Sequence, residues 1–380
     1  MISSFRISGF KLFRHLEVPR LGGLNLFVGK NNTGKSCLLE AIELYSCGSP
    51  RDVLRVALRR EQDGSRRRRG EGYYRSESLN LLQPLFGLFH RDRGQVSQLL
   101  QIRLDAGRYG SELSIDCEPF LSDMIDGDLP MEKFGHLEPQ NRQQFLREVL
   151  RDVLHIHRGD KKLRSEVFDR SLRGFPIPEE ALEAEGWIHP DFLPVAFLPA
   201  RGFTNEDAKR LWDKASLTDK DEVLLTWLRL VDREIRDLRY LSDSTSSSDL
   251  PYLKINGDRG RVSLSSQGDG LTRLFHIGLA MSDASRGILL IDEFENGLHW
   301  EVQKEIWSAL LRASMDFGIQ VFATTHSWDC IKAFVAAQAE ILGVGENFVY
   351  RLERRAEDVV AVNLPLPNLQ AALDNQVEVR

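Results

Sequence analysis

Between a short apolar run and an amphipathic one lies Gly29-Lys-Asn-Asn-Thr-Gly-Lys35-Ser36, and no other stretch of the 380 residues limits the fold so tightly. The pattern G-x-x-x-x-G-K-[ST] needs a strand before it and a helix after it. Leu24 to Val28 supplies the strand, and Lys35 to Ser46 the helix, with Leu38, Leu39, Ile42 and Tyr45 on one face. Gly29 and Gly34 permit a backbone path that turns successive N–H groups inward, a cradle for phosphate oxygens. Asn31, Asn32, Thr33 and Cys37 complete the expected loop, and the positive end of the helix adds to it. Lys35 is placed to reach β- and γ-phosphates, and Ser36 to ligate Mg²⁺, an ion that takes oxygen ligands. The pattern arises by accident in roughly one chain of this length in a hundred.

Two later strand ends carry matching chemistry. Gly287-Ile-Leu-Leu-Ile-Asp292-Glu293 reads as a buried parallel strand ending in two acids. Asp292 is expected to hold the Mg²⁺ shell, and Glu293 to accept a proton from the attacking water. Gln320-Val-Phe-Ala-Thr-Thr-His326 is a second apolar strand ending in polar residues, with His326 expected to sense the γ-phosphate. Ligands of open α/β sheets gather at such strand ends.

The rest of the chain sets limits. Apolar residues make up 42% and charged residues 28%, an ordinary globular balance that excludes a disordered or fibrous chain. A net charge of -6 excludes a generic polycation, although residues 51 to 75 hold nine arginines against four acids, including Arg66 to Arg69. Cys37, Cys47, Cys117 and Cys330 are scattered, so neither a disulfide framework nor a zinc site is supported. No apolar run approaches the ~20 residues of a membrane helix, and the start lacks a signal-peptide pattern. A cytoplasmic protein without a membrane partner is expected.

Residues 2 to 28 read as short strands, Leu79 to His90 as helix-like, and Leu99 to Asp105 and Glu112 to Cys117 as strands. From 120 to 245 the pattern reads as mainly helical. Thr218 to Leu241 predicts a single helix about 35 Å long, on the recurrence of Val223, Leu224, Trp227, Leu228, Val231, Ile235 and Leu238. Ser242 to Asp249 reads as a linker, and strands return from Tyr252. The expected architecture is α/β: a P-loop NTPase sheet interrupted by a mainly helical insertion. Residues 1–90 and 251–380 form the core, and 91–250 the insertion.

Leu264-Ser-Ser-Gln-Gly-Asp-Gly270 opens an apolar helix just upstream of the acidic strand. The order of phosphate loop, insertion, Ser/Gly helix start, Asp-Glu strand and strand-end His resembles the ABC-type ATPase superfamily. Ile2 to Phe13 with Gly9-Phe-Lys-Leu-Phe13 looks like the opening of SMC, RecF and OLD-type ATPases. Asp292-Glu-Phe-Glu-Asn-Gly-Leu-His299 and Thr324-Thr-His-Ser-Trp-Asp329 are similar to OLD-like AAA ATPases. This resemblance implies ATP and Mg²⁺ as cofactors, ATP hydrolysis, and a homodimer closed across two ATP sites. It implies that Ser265, Ser266 and Gly268 contact the γ-phosphate of the opposite subunit, with Asn296 to His299 facing the dimer. The loop reads Ser-Ser-Gln-Gly-Asp rather than Ser-Gly-Gly-Gln, and no Gln is placed as the Q-loop residue beyond the guesses Gln83 and Gln95.

The middle of the chain is too short for the coiled coil of an SMC protein, and no acid cluster marks a fused nuclease. The resemblance therefore implies a separate effector, a nuclease or toxin, in phage defence or DNA metabolism. Two alternatives stand beside it: a RecF-like repair ATPase that binds DNA directly, and an ATP-bound scaffold that sequesters a toxin with negligible turnover. Arg66 to Arg69 would serve DNA phosphates or an acidic partner, or form a solvated loop.

Overall fold

The computed structural model describes residues 1–46, 56, 87–90, 100–107, 111–123, 127–129, 150–169, 193–218, 220–242, 249–341, 345–356, 358–375 and 377–379. They fall into two compact units. The first comprises Met1–Ser3, Val18–Leu39 and Leu193–Arg380, and the second Ser4–Glu17 and Glu40–Phe192.

In the first unit, β3 (Leu24–Val28), β9 (Val195–Leu198), β13 (Ile288–Ile291), β14 (Gln320–Thr325), β15 (Phe348–Arg355) and β16 (Asp358–Asn363) form one sheet. Its order is β16-β15-β3-β14-β13-β9. The pairings from β15 through β3, β14 and β13 to β9 are parallel, and β16 alone runs antiparallel to its neighbour. Parallel strands covered on both faces read as unbroken apolar runs, and Leu24–Val28 and Ile288–Ile291 are buried at every position. Because these strands point the same way, the residues following Val28, Leu198, Ile291 and Thr325 emerge at one edge. Around the sheet lie α4 (Asp269–Asp283), α5 (Trp300–Asp316), α6 (Trp328–Glu340) and α7 (Leu366–Asp374), and α1 (Lys35–Ser46) follows the loop after β3, its first residues in this unit and the rest in the second.

A second core in this unit joins α2 (Asn205–Ser216), α3 (Asp221–Leu228) and a small sheet of β10 (Ile235–Ser242), β11 (Asp249–Ile255) and β12 (Val262–Ser263). Helix α4 belongs to both cores. Leu274, Ile277, Ala280 and Met281 pack into the sheet core, while Leu271, Phe275 and Leu279 pack into the second. Gly278 lets α3 approach closely, since a Cβ there would sit 3.0 Å from Leu224 Cδ2.

In the second unit, β1 (Phe5–Phe10), β2 (Phe13–Val18), β4 (Leu100–Asp105), β5 (Leu113–Asp123), β6 (Gly127–Leu129), β7 (Leu150–Arg158) and β8 (Lys161–Asp169) make a seven-stranded sheet. Its β1–β4, β4–β5, β5–β6, β5–β7 and β7–β8 pairings are antiparallel.

The strands at either end of the chain and helix α1 lie where expected. The middle differs. Between 120 and 170 the described residues are strands and their connections, not helix. The overlooked signal is Gly159-Asp160, a two-residue hairpin turn between β7 and β8 with Gly159 at φ 55°. The expected helix Thr218 to Leu241 is also broken. Helix α3 stops after eight residues, and Asp232 Oδ1 then accepts the Glu234 N–H at 2.9 Å. Such an aspartate turn diverts the chain from helix. The chain continues as β10, which pairs with β11 across the stretch expected as a linker. Two members of the supposed stripe, Val223 and Val231, are exposed. Residues 79–86, the start of the expected Leu79 to His90 helix, lie outside the described residues, and Phe89 forms an antiparallel bridge with Phe10. Gln83, Gln95 and Arg66 to Arg69 also lie outside them.

Candidate nucleotide site

The loop after β3 has the backbone its glycines allow. Gly29 has φ 147°, Asn32 φ 63° and Gly34 φ 94°. A Cβ at Gly29 would stand 2.8 Å from the Leu352 carbonyl and 3.0 Å from Thr33 Oγ1, so a side chain there has no room. Thr33 ties the loop by donating to the Lys30 carbonyl at 2.9 Å. Lys35 is nearly buried, and its Nζ donates to the Gly29 and Lys30 carbonyls at 2.7 and 3.0 Å. Burial lowers its pKa, against the opposing pull of Asp292, Glu293 and Glu295. Asn31 and Asn32 are exposed on the loop, and Cys37 is half-buried in α1.

The strand ends converge on this loop through one carboxylate oxygen. Asp292 Oδ1 accepts from Ser36 Oγ at 3.0 Å and from Thr324 Oγ1 at 2.7 Å. Thr324 Oγ1 in turn accepts the Glu293 N–H at 2.8 Å. Glu293 adopts φ 48°, a left-handed backbone uncommon outside glycine. The surroundings hold it there. Arg273 on α4 donates to the Asp292 and Glu293 carbonyls at 2.7 and 2.9 Å, and to the Pro199 and Ala200 carbonyls at 2.7 and 3.3 Å. Burial lowers the Arg273 pKa to about 10. At that value the guanidinium stays charged at neutral pH and satisfies four carbonyls at once. Asn296 completes the arrangement, with Nδ2 donating to Glu293 Oε2 at 2.7 Å and to the Ala200 carbonyl at 3.1 Å.

The remaining acid of the run, Glu295, faces His326. Its Oε1 accepts the His326 backbone N–H at 3.0 Å, and the ring Nδ1 lies 3.2 Å from the same oxygen. Ser327 caps α6 by accepting the Cys330 N–H at 3.3 Å, which fixes where His326 leaves β14.

Ser265, Ser266 and Gly268 are exposed at the start of α4. The Ser265 and Ser266 hydroxyls bond to Ser263 Oγ and the Ser263 carbonyl at 2.9 and 2.6 Å. Gly268 caps α4 at φ 95° and ψ 163°, a glycine conformation. Its neighbourhood touches the loop after the acidic strand, because a Cβ at Gly297 would lie 3.1 Å from the Asp269 carbonyl. Thus Ser36, Asp292, Glu293 and Thr324 form one hydrogen-bonded group within the chain, and His326 joins Glu295. Ser265, Ser266 and Gly268 stay within their own loop. Thr324, Arg273 and Glu295 were not singled out from sequence. An arginine inside the apolar run Leu271 to Met281 was a readable signal, since a charge there must find partners.

Beside Arg273, His276 is buried, accepts the Phe203 N–H at Nδ1 (3.3 Å), and leaves no room for a Cβ at Gly202. Burial, and then Arg273, lower its pKa from 6.5 to about 4. The unfolded chain therefore binds a proton that the fold refuses between those values, so this contribution to stability falls as pH falls from 6.5 to 4. It amounts to about 3 kcal/mol. Denaturant titrations from pH 7 to pH 4 should show a shallower acid loss for His276→Gln than for the wild-type chain; equal slopes would contradict a neutral buried ring.

Residues 133–329 match a family model described as "AAA domain, putative AbiEii toxin, Type IV TA system". The chain belongs to this AAA family. The matched span holds Asp292, Glu293 and His326, and an "AAA ATPase domain" model covers the phosphate loop at residues 1–57. This AAA protein is thus a P-loop NTPase and an ATPase. It is 23% identical over 351 residues to an "ATP/GTP phosphatase" of Helicobacter pylori, covering 87% of each chain. Among solved structures it is similar to an Smc head bound to the C-winged helix domain of ScpA, with TM-score 0.49, 11% identity and coverage of 97% of this chain and 99% of that one. An SMC head domain from Thermotoga maritima gives TM-score 0.42 and 14% identity, covering 95% and 98%. Among the described residues no helix is long and apolar enough to cross a membrane.

Proposed function

We propose that this AAA ATPase is a nucleotide-dependent switch that closes as a homodimer over two ATP molecules. The observation that carries this reading is the separation of two half-sites. The phosphate loop, Asp292 and Glu293 are bonded together, while Ser265, Ser266 and Gly268 are exposed just ahead of α4, with hydrogen bonds among the described residues only to their own loop and helix. An exposed hydroxyl-and-glycine helix start suits a phosphate brought by a second subunit.

Gly29, Asn31, Asn32, Thr33, Gly34, Lys35, Ser36 and Cys37 would surround the phosphates of the chain's own ATP. The hydroxyl and carboxylate oxygens of Ser36 and Asp292, already 3.0 Å apart, fit Mg²⁺, which they would hold. The ion would offset charge on the phosphate oxygens. Glu293 accepts a proton from the attacking water, and His326 contacts the γ-phosphate. Oriented backbone and side-chain groups of this kind carry most of phosphoryl-transfer catalysis.

We read the output as control of a separate effector in the cytoplasm, in the manner of OLD-like ATPases in phage defence. The toxin–antitoxin description of the matched family favours a toxin–antitoxin setting over DNA repair. Sedimentation with ATP tests the switch. The Ser266→Asp chain should bind ATP as a monomer yet fail to dimerise, because it sets a negative side chain against the incoming phosphate without straining the glycine cap of α4. Dimerisation equal to wild type would remove the helix start from the interface.

A further inference from the structure

We propose that Glu295 is a positioning residue for the phosphate-sensing histidine, with one carboxylate oxygen hydrogen-bonded to the backbone of His326 and set against its ring by charge. This rests on the proposed contact between His326 and the γ-phosphate. Glu295 follows the candidate base Glu293 by two residues, and its side chain is only 10% exposed, against 44% for His326. Its Oε1 serves the His326 N–H at 3.0 Å and lies 3.2 Å from Nδ1. Its Oε2 is buried without a hydrogen-bond partner. The loop turn does not need this side chain, since the Leu298 N–H bonds to the Glu295 carbonyl at 2.9 Å.

A buried carboxylate with one oxygen unmatched is costly unless cations offset it. Three cationic or ring groups share the region: His326 directly, with Lys35 and Arg273 both within its electrostatic reach. An ionised carboxylate only accepts hydrogen bonds. Oε1 lies 3.2 Å from Nδ1 but off the line of a hydrogen bond, and its charge favours the ring form with a proton on Nδ1, which leaves Nε2 for the phosphate. The oxygen that orients the ring also holds the backbone where β14 gives way to α6, so the imidazole is fixed in position as well as in proton placement. The outer partner of a working histidine has this role generally. In this chain that role falls to Glu295, the third acid of the run, rather than to Glu293, which is held instead by Asn296.

The test uses the full chain as wild type, Glu295→Gln, Glu295→Ala, His326→Ala and the double Glu295→Ala/His326→Ala variant. ATP turnover, ATP affinity, thermal melting and nitrogen NMR of labelled histidine are measured on each. We expect Nδ1 protonation of His326 in the wild type and its loss in Glu295→Ala. Turnover should drop about 10- to 100-fold in both Glu295 variants with ATP affinity unchanged, and the double variant should be no slower than His326→Ala. Melting identifies a variant that fails to fold, in which case the near-isosteric Glu295→Gln carries the test. Wild-type turnover in His326→Ala overturns the phosphate-sensing reading and this inference with it. Slow His326→Ala beside undiminished Glu295→Ala, multiplying losses in the double variant, or wild-type His326 protonated at Nε2 overturns the role of Glu295 alone.

Discussion

Lys35→Ala should eliminate measurable ATP turnover and weaken ATP binding by at least ~100-fold, about 3 kcal/mol. The ammonium is held where phosphates would replace its present partners, the Gly29 and Lys30 carbonyls. Hydrogen bonds between charged groups are the strong ones, and burial around Lys35 leaves little water to screen this one. The fold should survive the change. Lys30 keeps the bond from Thr33 to its carbonyl, and removing a half-desolvated cation relieves part of a burial cost. Calorimetry with ATP, paired with a melting curve, separates loss of binding from loss of structure. Undiminished turnover would mean that the loop after β3 is not the phosphate site.

Glu293→Gln should bind ATP normally, hydrolyse it about 100- to 10,000-fold more slowly, and accumulate as a dimer. The substitution removes the proton acceptor while changing little else. A glutamine oxygen can still accept from Asn296, the backbone at φ 48° is held by Arg273 and Thr324, and Asp292 keeps its charge beside Ser36. The intact residue would open the dimer after each turnover, so the variant isolates the closed state. Sedimentation velocity with ATP is the measurement. A variant that stays monomeric while binding ATP would contradict the switch, even if hydrolysis is lost.

The parts of the molecule readable from sequence were those with unbroken apolar runs or glycine-enforced geometry. Ile288 to Ile291 and the mostly apolar Leu24 to Val28 announce themselves because burial on both faces of a parallel sheet leaves little room for polar residues, Asn25 being buried with hydrogen-bond partners, and the Gly29 to Ser36 loop through its glycines. Asp292, Glu293 and His326 were legible because they close such runs. The middle was not. The polar residues of β7 and β8 carry no clean two-residue period, and Val223 to Leu238 mimics a helical stripe that Asp232 interrupts. The supports of the site were hidden for another reason. Arg273, Thr324 and Glu295 act through carbonyls and side chains far away in sequence, 74 residues in the bond from Arg273 to Pro199, and spacing along the chain carries no trace of such partners.

Helix α4 is packed into both cores, while the turn that leads into it, Ser265 to Gly268, is exposed. Natural variation on the body of the helix must therefore answer to two cores and to the Arg273 carbonyls at once, and it has almost no latitude. The Ser265 and Ser266 side chains answer to neither core, and only Gly268 in that turn is held to one residue type by its backbone. Association strength can drift, or be redesigned, through a few exposed residues while thermal stability stays where it was.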